Sequence, residues 1–120
     1  MILVVDDDPT FLEQAQKALN RDRQVVMASD SKQAWRLAQR LGFSVMLVDL
    51  NLQGEDGLDL IERMHSAFPD VPIIAISDGL SKQVELMKLQ AHGAVAVLLK
   101  PVTAEWQQVV ERFRAMRWNN

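Results

Sequence analysis

The chain contains no cysteine, which excludes disulfides, zinc–thiolate sites and thiol catalysis. It also has no apolar run near the ~20 residues of a membrane-spanning helix. The apolar start, residues 1–5, meets Asp6-Asp7-Asp8 at once, whereas a secretory signal needs a basic start and a longer apolar stretch. An excess of basic charge is missing too. Thirteen Lys and Arg against 16 Asp and Glu leave a formal net charge of −3, which argues against a nucleic-acid binder working through a basic surface. Repeats, low-complexity segments and linkers are absent. These absences leave a cytoplasmic domain, with no membrane and no nucleic acid among its partners, as the default expectation.

What is present is one domain's worth of core. The 120 residues are 48% apolar, too apolar for a disordered chain. A chain of this length buries roughly two-thirds of its unfolded surface. Short runs rich in Val, Ile and Leu occur at 2–5, 24–28, 45–48, 73–76 and 95–99. They are continuous rather than alternating, as expected of strands covered on both faces. Between them the apolar spacing turns helical. The expected inner faces are Leu12, Ala15 and Leu19 after Pro9; Ala34, Leu37, Ala38 and Leu41 between an N-cap Ser31 and a stop at Gly42; and Leu58, Ile61 and Met64 from Asp56-Gly57 to before Pro69 and Pro72. A fourth stripe is Leu80, Val84, Met87 and Ala91, capped by Ser81 and closed by Gly93. A fifth is Trp106, Val110 and Phe113, opening at Thr103. Strand then helix, five times, predicts an α/β fold: an open, doubly wound parallel sheet with helices on both faces.

In such sheets, ligands bind beyond the carboxyl ends of the strands. Asp6, Asp7 and Asp8 follow the first strand, Asp49-Leu50-Asn51 the third, Ser77-Asp78 the fourth and Lys100-Pro101 the fifth. Each residue alone reads as helix capping or turn chemistry. Together they bring carboxylates, a hydroxyl and an ammonium to one rim. Clustered carboxylates repel unless a cation offsets them. Mg2+ suits the set, because it takes one or two carboxylates, keeps several waters and leaves room for a phosphate. Lys100 can hold a phosphate oxygen and Ser77 can donate to one.

With these residues the chain resembles a bacterial response-regulator receiver domain over essentially its full length, residues 1–120. The resemblance rests on Leu3-Val4-Val5-Asp6-Asp7-Asp8-Pro9, Val48-Asp49-Leu50-Asn51-Leu52 with Asp56-Gly57, Ile76-Ser77 and Lys100-Pro101. It implies a flavodoxin-like (βα)5 fold with strand order 2-1-3-4-5, without an effector domain. It also implies a self-catalysed, Mg2+-dependent phosphoryl transfer from a histidine-kinase phosphohistidine, or a histidine phosphotransfer protein, to Asp49. That would make the chain a signalling switch rather than a metabolic enzyme. Asp7, Asp49 and the Asn51 carbonyl are the implied metal ligands, with Asp6 acting mainly through water. Ser77 corresponds to the switch hydroxyl and Lys100 to the phosphate-binding lysine, whose bond to Pro101 is expected to be cis.

Three positions depart from the family. The aromatic usual three residues before the lysine is Val97, whose side chain cannot sweep the same volume. Asp78 replaces the small residue after the hydroxyl and is expected to face water or cap the next helix. Gln53-Gly54 replaces the usual proline after the acceptor loop, which suggests a looser loop. The family signals through its fourth helix, fifth strand and fifth helix, to a second copy or an effector. Leu86 and Leu89, roughly opposite the expected inner stripe, are the candidates for that face. Val97 supports the alternative of a phosphorylation-independent interaction module. A flavin or nucleotide binder would need a Gly-rich loop where Asp-Asp-Asp-Pro stands, and an aspartate-based phosphatase a carboxylate at Asn51. His65 and His92 read as surface or edge residues, Trp35 and Trp106 as core or core-edge, and Arg112, Arg114 and Arg117 as cations offsetting the last helix's dipole.

Overall fold

The computed structural model describes residues 1–19, 24–78 and 83–116, the side chains of 83–87 and 116 excepted. The elements in chain order are β1 (Ile2–Val5), α1 (Pro9–Leu19), β2 (Val25–Ala28), α2 (Ser31–Arg40), β3 (Val45–Asp49), β4 (Asn51–Leu52), β5 (Glu55–Asp56), α3 (Gly57–Ala67), β6 (Ile73–Ser77), α4 (Gln83–His92), β7 (Ala94–Leu99) and α5 (Glu105–Met116). Five strands pair in parallel in the order β2-β1-β3-β6-β7. In the chain order of these five strands that is 2-1-3-4-5, as expected. β4 and β5 form a small antiparallel hairpin between β3 and α3.

The central strands β1, β3 and β6 are buried throughout because the sheet is covered on both faces. Along β1, Ile2 and Val4 pack with Phe11, Ala15, Trp106 and Val110 of α1 and α5. Leu3 and Val5 point the other way, toward Ala34, Ala38, Leu60, Ile61, Met64 and Leu89 of α2, α3 and α4. β3 and β6 alternate in the same fashion, which is the period-2 geometry of a strand applied to a two-sided core. The chain moves from β1 outward to β2, then back across β1 to β3 and onward. The reversal falls between β1 and β3, where Val5 pairs with Val48 and leaves Asp6 and Asp49 side by side.

Three local expectations are corrected. The buried face of α1 is Phe11, Ala15 and Leu19, with Leu12 only half-buried. A spacing of four, four satisfies the helix as well as three, four, and the sheet selects the larger ring. The N-cap of α2 is Asp30, whose carboxylate accepts from the Gln33 N–H at 2.7 Å, while Ser31 is already helical. In α4, Leu89 is buried and Ala91 exposed, so Leu89 is core and not part of an outer face. In the sequence, the apolar residues at 84, 86, 87, 89 and 91 do not share one helical face, so periodicity alone cannot choose the inner side. Leu80, Ser81 and the side chains of Val84, Leu86 and Met87 lie outside the described residues.

Candidate functional site

Polar groups are kept out of this core except in one place. Among the described residues, the buried polar side chains are Asp6, Asp49 and Ser77, and all three stand at the carboxyl rim of the sheet. The strands themselves put them there. Asp6 follows β1 and donates its N–H to Ala28 O at 3.0 Å; Asp49 and Ser77 end β3 and β6. Beyond β7, Lys100 donates its N–H to Ser77 O at 2.8 Å, and its side chain turns toward the carboxylates. The Lys100–Pro101 peptide bond is cis.

The three consecutive aspartates serve three different ends. Asp6 is fully buried, and one of its oxygens accepts from the Asp8 N–H at 2.8 Å. The other, Oδ2, lies 2.9 Å from Lys100 Nζ but has no aligned hydrogen bond. Asp7 lies half-buried in the pocket wall, its Oδ2 accepting from the Gln53 N–H at 2.8 Å. Asp8 is exposed and caps α1: its carboxylate accepts from Thr10 N–H at 3.0 Å and its carbonyl from Leu12 N–H at 3.0 Å. Capping chemistry therefore accounts for Asp8 alone.

Asp49 Oδ1 accepts from the Asn51 N–H at 3.1 Å, and Oδ2 lies 3.4 Å from Lys100 Nζ. Burial drives the Asp6 carboxyl up from 3.8 to about 6; Lys100 and the Asp8 N–H oppose the shift, and the nearby Asp49 charge adds to it. Burial pulls the Lys100 ammonium down, but the ion pairs with Asp6 and Asp49 outweigh it and hold it above its ordinary value. One ammonium thus spans two carboxylates, at 2.9 Å from Asp6 and 3.4 Å from Asp49.

The outer wall is the β4–β5 hairpin. Gly54 turns it with φ of 74°, a conformation open to glycine. Far from loose, this loop is tied down at both ends, at Gln53 to Asp7 and at Glu55 to the N-terminus of α2. Glu55 accepts from the Ser31 N–H at 3.0 Å and the Ser31 hydroxyl at 2.7 Å. Behind it, Gly57 opens α3 so close to β3 that an added Cβ would sit 2.2 Å from Asp49 O. The pocket so enclosed measures about 390 Å³ and is lined by Asp7, Asp49, Asn51, Leu52, Gln53, Gly54, Asp78 and Lys100. Asp78 is exposed on its rim.

The donor set fits a divalent cation. One oxygen from each of Asp6, Asp7 and Asp49 lies within 4.8 Å of the others, all are hard ligands, and the buried Asp6 Oδ2 lacks an aligned hydrogen-bond donor. Neither histidine joins this group. His65 is exposed against Gly93, and the His92 ring sits 2.9 Å from Lys88 O and 3.7 Å from Glu62.

Sequence reasoning missed three contributors: the Gln53 N–H, the Glu55–Ser31 tie, and Phe11. The Phe11 ring lies under Lys100 Nζ, 4.4 Å from centroid to nitrogen. No pattern announces a main-chain donor. Phe11 was legible only as an aromatic in the first turn after the acidic run.

A doubly wound five-stranded sheet with an acidic pocket at its switch point belongs to the open α/β domains, which bind ligands at that place. The chain belongs to the response regulator receiver domain family, whose model matches residues 2–112. It is 34% identical to the two-component response regulator ARR11 of Arabidopsis thaliana over 120 residues, covering 92% of this chain and 22% of ARR11. The chain thus spans about a fifth of that relative. The receiver domain of NtrX from Brucella abortus superposes with a TM-score of 0.87 at 26% identity, over 96% of this chain and 98% of that one. The BeF3-activated receiver domain of DrrB gives 0.82 at 25% identity, over 93% and 94%. No helix among the described residues is long and apolar enough to cross a membrane.

Proposed function

We propose that this domain is the phosphoacceptor of a two-component relay, taking a phosphoryl group from a phosphohistidine onto Asp49. The observation that carries the reading is the Asp6–Lys100–Asp49 arrangement beside an acidic pocket, with Nζ 2.9 and 3.4 Å from the two carboxylates. An Asp49 oxygen attacks phosphorus. The O–P bond forms as the P–N bond breaks, and the donor imidazole leaves with the electron pair. This transfer needs in-line placement and charge neutralisation more than proton chemistry.

Asp7, Asp49 and the Asn51 carbonyl are the residues to hold Mg2+, with Asp6 acting through water; the bound metal supplies positive charge to the phosphoryl oxygens. Lys100 neutralises a further oxygen, and Ser77, which ends β6, donates to the product. The Asn51 N–H already orients Asp49 Oδ1. The chain serves as a switch and not as a metabolic enzyme, in the cytoplasm, with a sensor histidine kinase or a histidine phosphotransfer protein as donor. Output leaves by α4, β7 and α5, where Val95 and Leu99 are exposed apolar side chains on β7.

Intact mass after incubation with acetyl phosphate and Mg2+ tests the reading. A phosphoryl adduct in the parent, lost in Asp49→Asn and on chelation, is expected. Absence of both the adduct and any spectral response to beryllofluoride would instead favour a phosphorylation-independent interaction module.

A further inference from the structure

Lys100 emerges from the edge strand, and its ammonium must be held over the pocket at the end of a flexible four-carbon stem. Two carboxylates attract it, but carboxylates alone do not fix where between them a mobile cation rests. The third neighbour is an aromatic face. Lys100 Nζ lies 4.4 Å from the centroid of the Phe11 ring, within the range at which the ring's negative face attracts a cation. Phe11 is buried, in the first turn of α1, directly beyond the acidic run. Its ring is fixed from the side by the buried Trp106 of α5, at 5.6 Å between centroids and 60° between planes, an edge-to-face contact.

We propose that the Phe11 ring is the platform that positions the Lys100 ammonium, and that Trp106 holds this platform in place. Phe11 is a positioning residue: it reaches the reacting atoms only through Lys100. The ring also keeps water off one side of the ammonium, which strengthens its attraction to Asp6 and Asp49. Val97, on the opposite side of β7, packs in the α2–α4 layer and has no such ring to offer. The site is therefore coupled to α5 through α1, on the other face of the sheet. As it concerns phosphoryl transfer, the inference rests on the proposed function; as it concerns where the ammonium sits, it does not.

The test separates the two. In the metal-free protein, the ε-methylene protons of Lys100 are expected to be shifted upfield by the Phe11 ring current and to return to ordinary positions in Phe11→Leu. Unshifted resonances in the parent overturn the platform, whether or not Asp49 accepts a phosphoryl group. A shifted Lys100 in a protein that gives neither adduct nor beryllofluoride response upholds the platform and removes the phosphoacceptor reading.

Because Phe11→Leu also alters a core position, mono-, di- and trifluorinated phenylalanine at position 11 provide variants of nearly constant shape and weakening ring face. In a protein that does form the adduct, its initial rate of formation is expected to fall stepwise along this series. The total loss is about three- to tenfold, as a contact of this kind predicts. A flat series, with all members folded, overturns a positioning role and leaves Phe11 as packing.

Discussion

The two walls of the site are built on different principles. The inner wall, Asp6, Asp49 and Lys100 backed by Phe11, is largely buried and held by ion pairs at 2.9 and 3.4 Å and a cation–ring contact at 4.4 Å. The outer wall, Asp7 and the β4–β5 hairpin, is half-exposed and held by main-chain donors, Gln53 N–H to Asp7 and Ser31 N–H to Glu55. In the inner wall a charge lost leaves another unpaired in a poorly solvated place, which is costly. Water can replace any single bond of the outer wall at modest cost.

The sharpest way to break this contrast is Lys100→Met, which leaves Asp6 and Asp49 facing each other without their cation. The acetyl phosphate reaction, followed by intact mass, is expected to slow roughly 10²–10³-fold, the usual effect of removing one preorganised group at the developing charge. A loss below tenfold would mean that the inner wall does not depend on its ammonium.

Next comes the seam between the walls. Gly57→Ala places a methyl against Asp49 O and the Leu50 backbone, neither of which is a flexible side-chain end. Urea unfolding is expected to show a loss of about 1–3 kcal/mol, the ordinary range for overpacking. An unchanged midpoint would show that α3 can retreat from β3 freely.

The raised Asp6 carboxyl gives a pH signature to the inner wall alone. Its folded value of about 6 exceeds its ordinary 3.8, so the folded state favours the protonated form. That contribution to stability is complete below about pH 4 and is lost as pH rises through 6. Asp6→Asn should remove this part of the pH dependence of urea unfolding. A divalent cation prefers the ionised acid, so Mg2+ affinity measured by calorimetry should fall as pH drops through 6, by about tenfold per unit for one linked proton. Affinity flat from pH 7 to 5 would contradict the assignment.

The smallest effect is expected at the outer wall. Gln53→Pro removes the N–H that orients Asp7, and Mg2+ binding should weaken by about two- to tenfold, the worth of one part-exposed hydrogen bond. An effect as large as that of Lys100→Met would erase the distinction between the walls.

Much of this architecture is legible in the residues. The five apolar runs fall on the five strands of the sheet, because a strand covered on both faces must be apolar throughout. Asp6, Asp49, Ser77 and Lys100 were legible because strand ends are marked by the first polar residue after an apolar run. Helical phase was harder to read. Phe11 and Leu12 both satisfied the α1 spacing, and Leu89 and Ala91 competed for the inside of an α4 whose apolar residues do not share one face. Ser31 was read as the cap of α2, whereas the Gln33 N–H selects Asp30 one residue earlier.

By itself, then, the sequence determined the fold class, the alternation of strand and helix, and the set of charged groups gathered at one rim. Those properties follow from local periodicity and from the rule that parallel strands deliver their carboxyl ends to the same side. Only the tertiary structure decided how three adjacent aspartates divide into a buried ion pair, a pocket wall and a helix cap. It also decided that the supposedly loose loop is pinned and that an aromatic ring sits beneath the lysine. Each of these depends on atoms brought together from distant parts of the chain, such as Lys100 with Phe11 or Gln53 with Asp7, and spacing along the chain carries no record of such meetings.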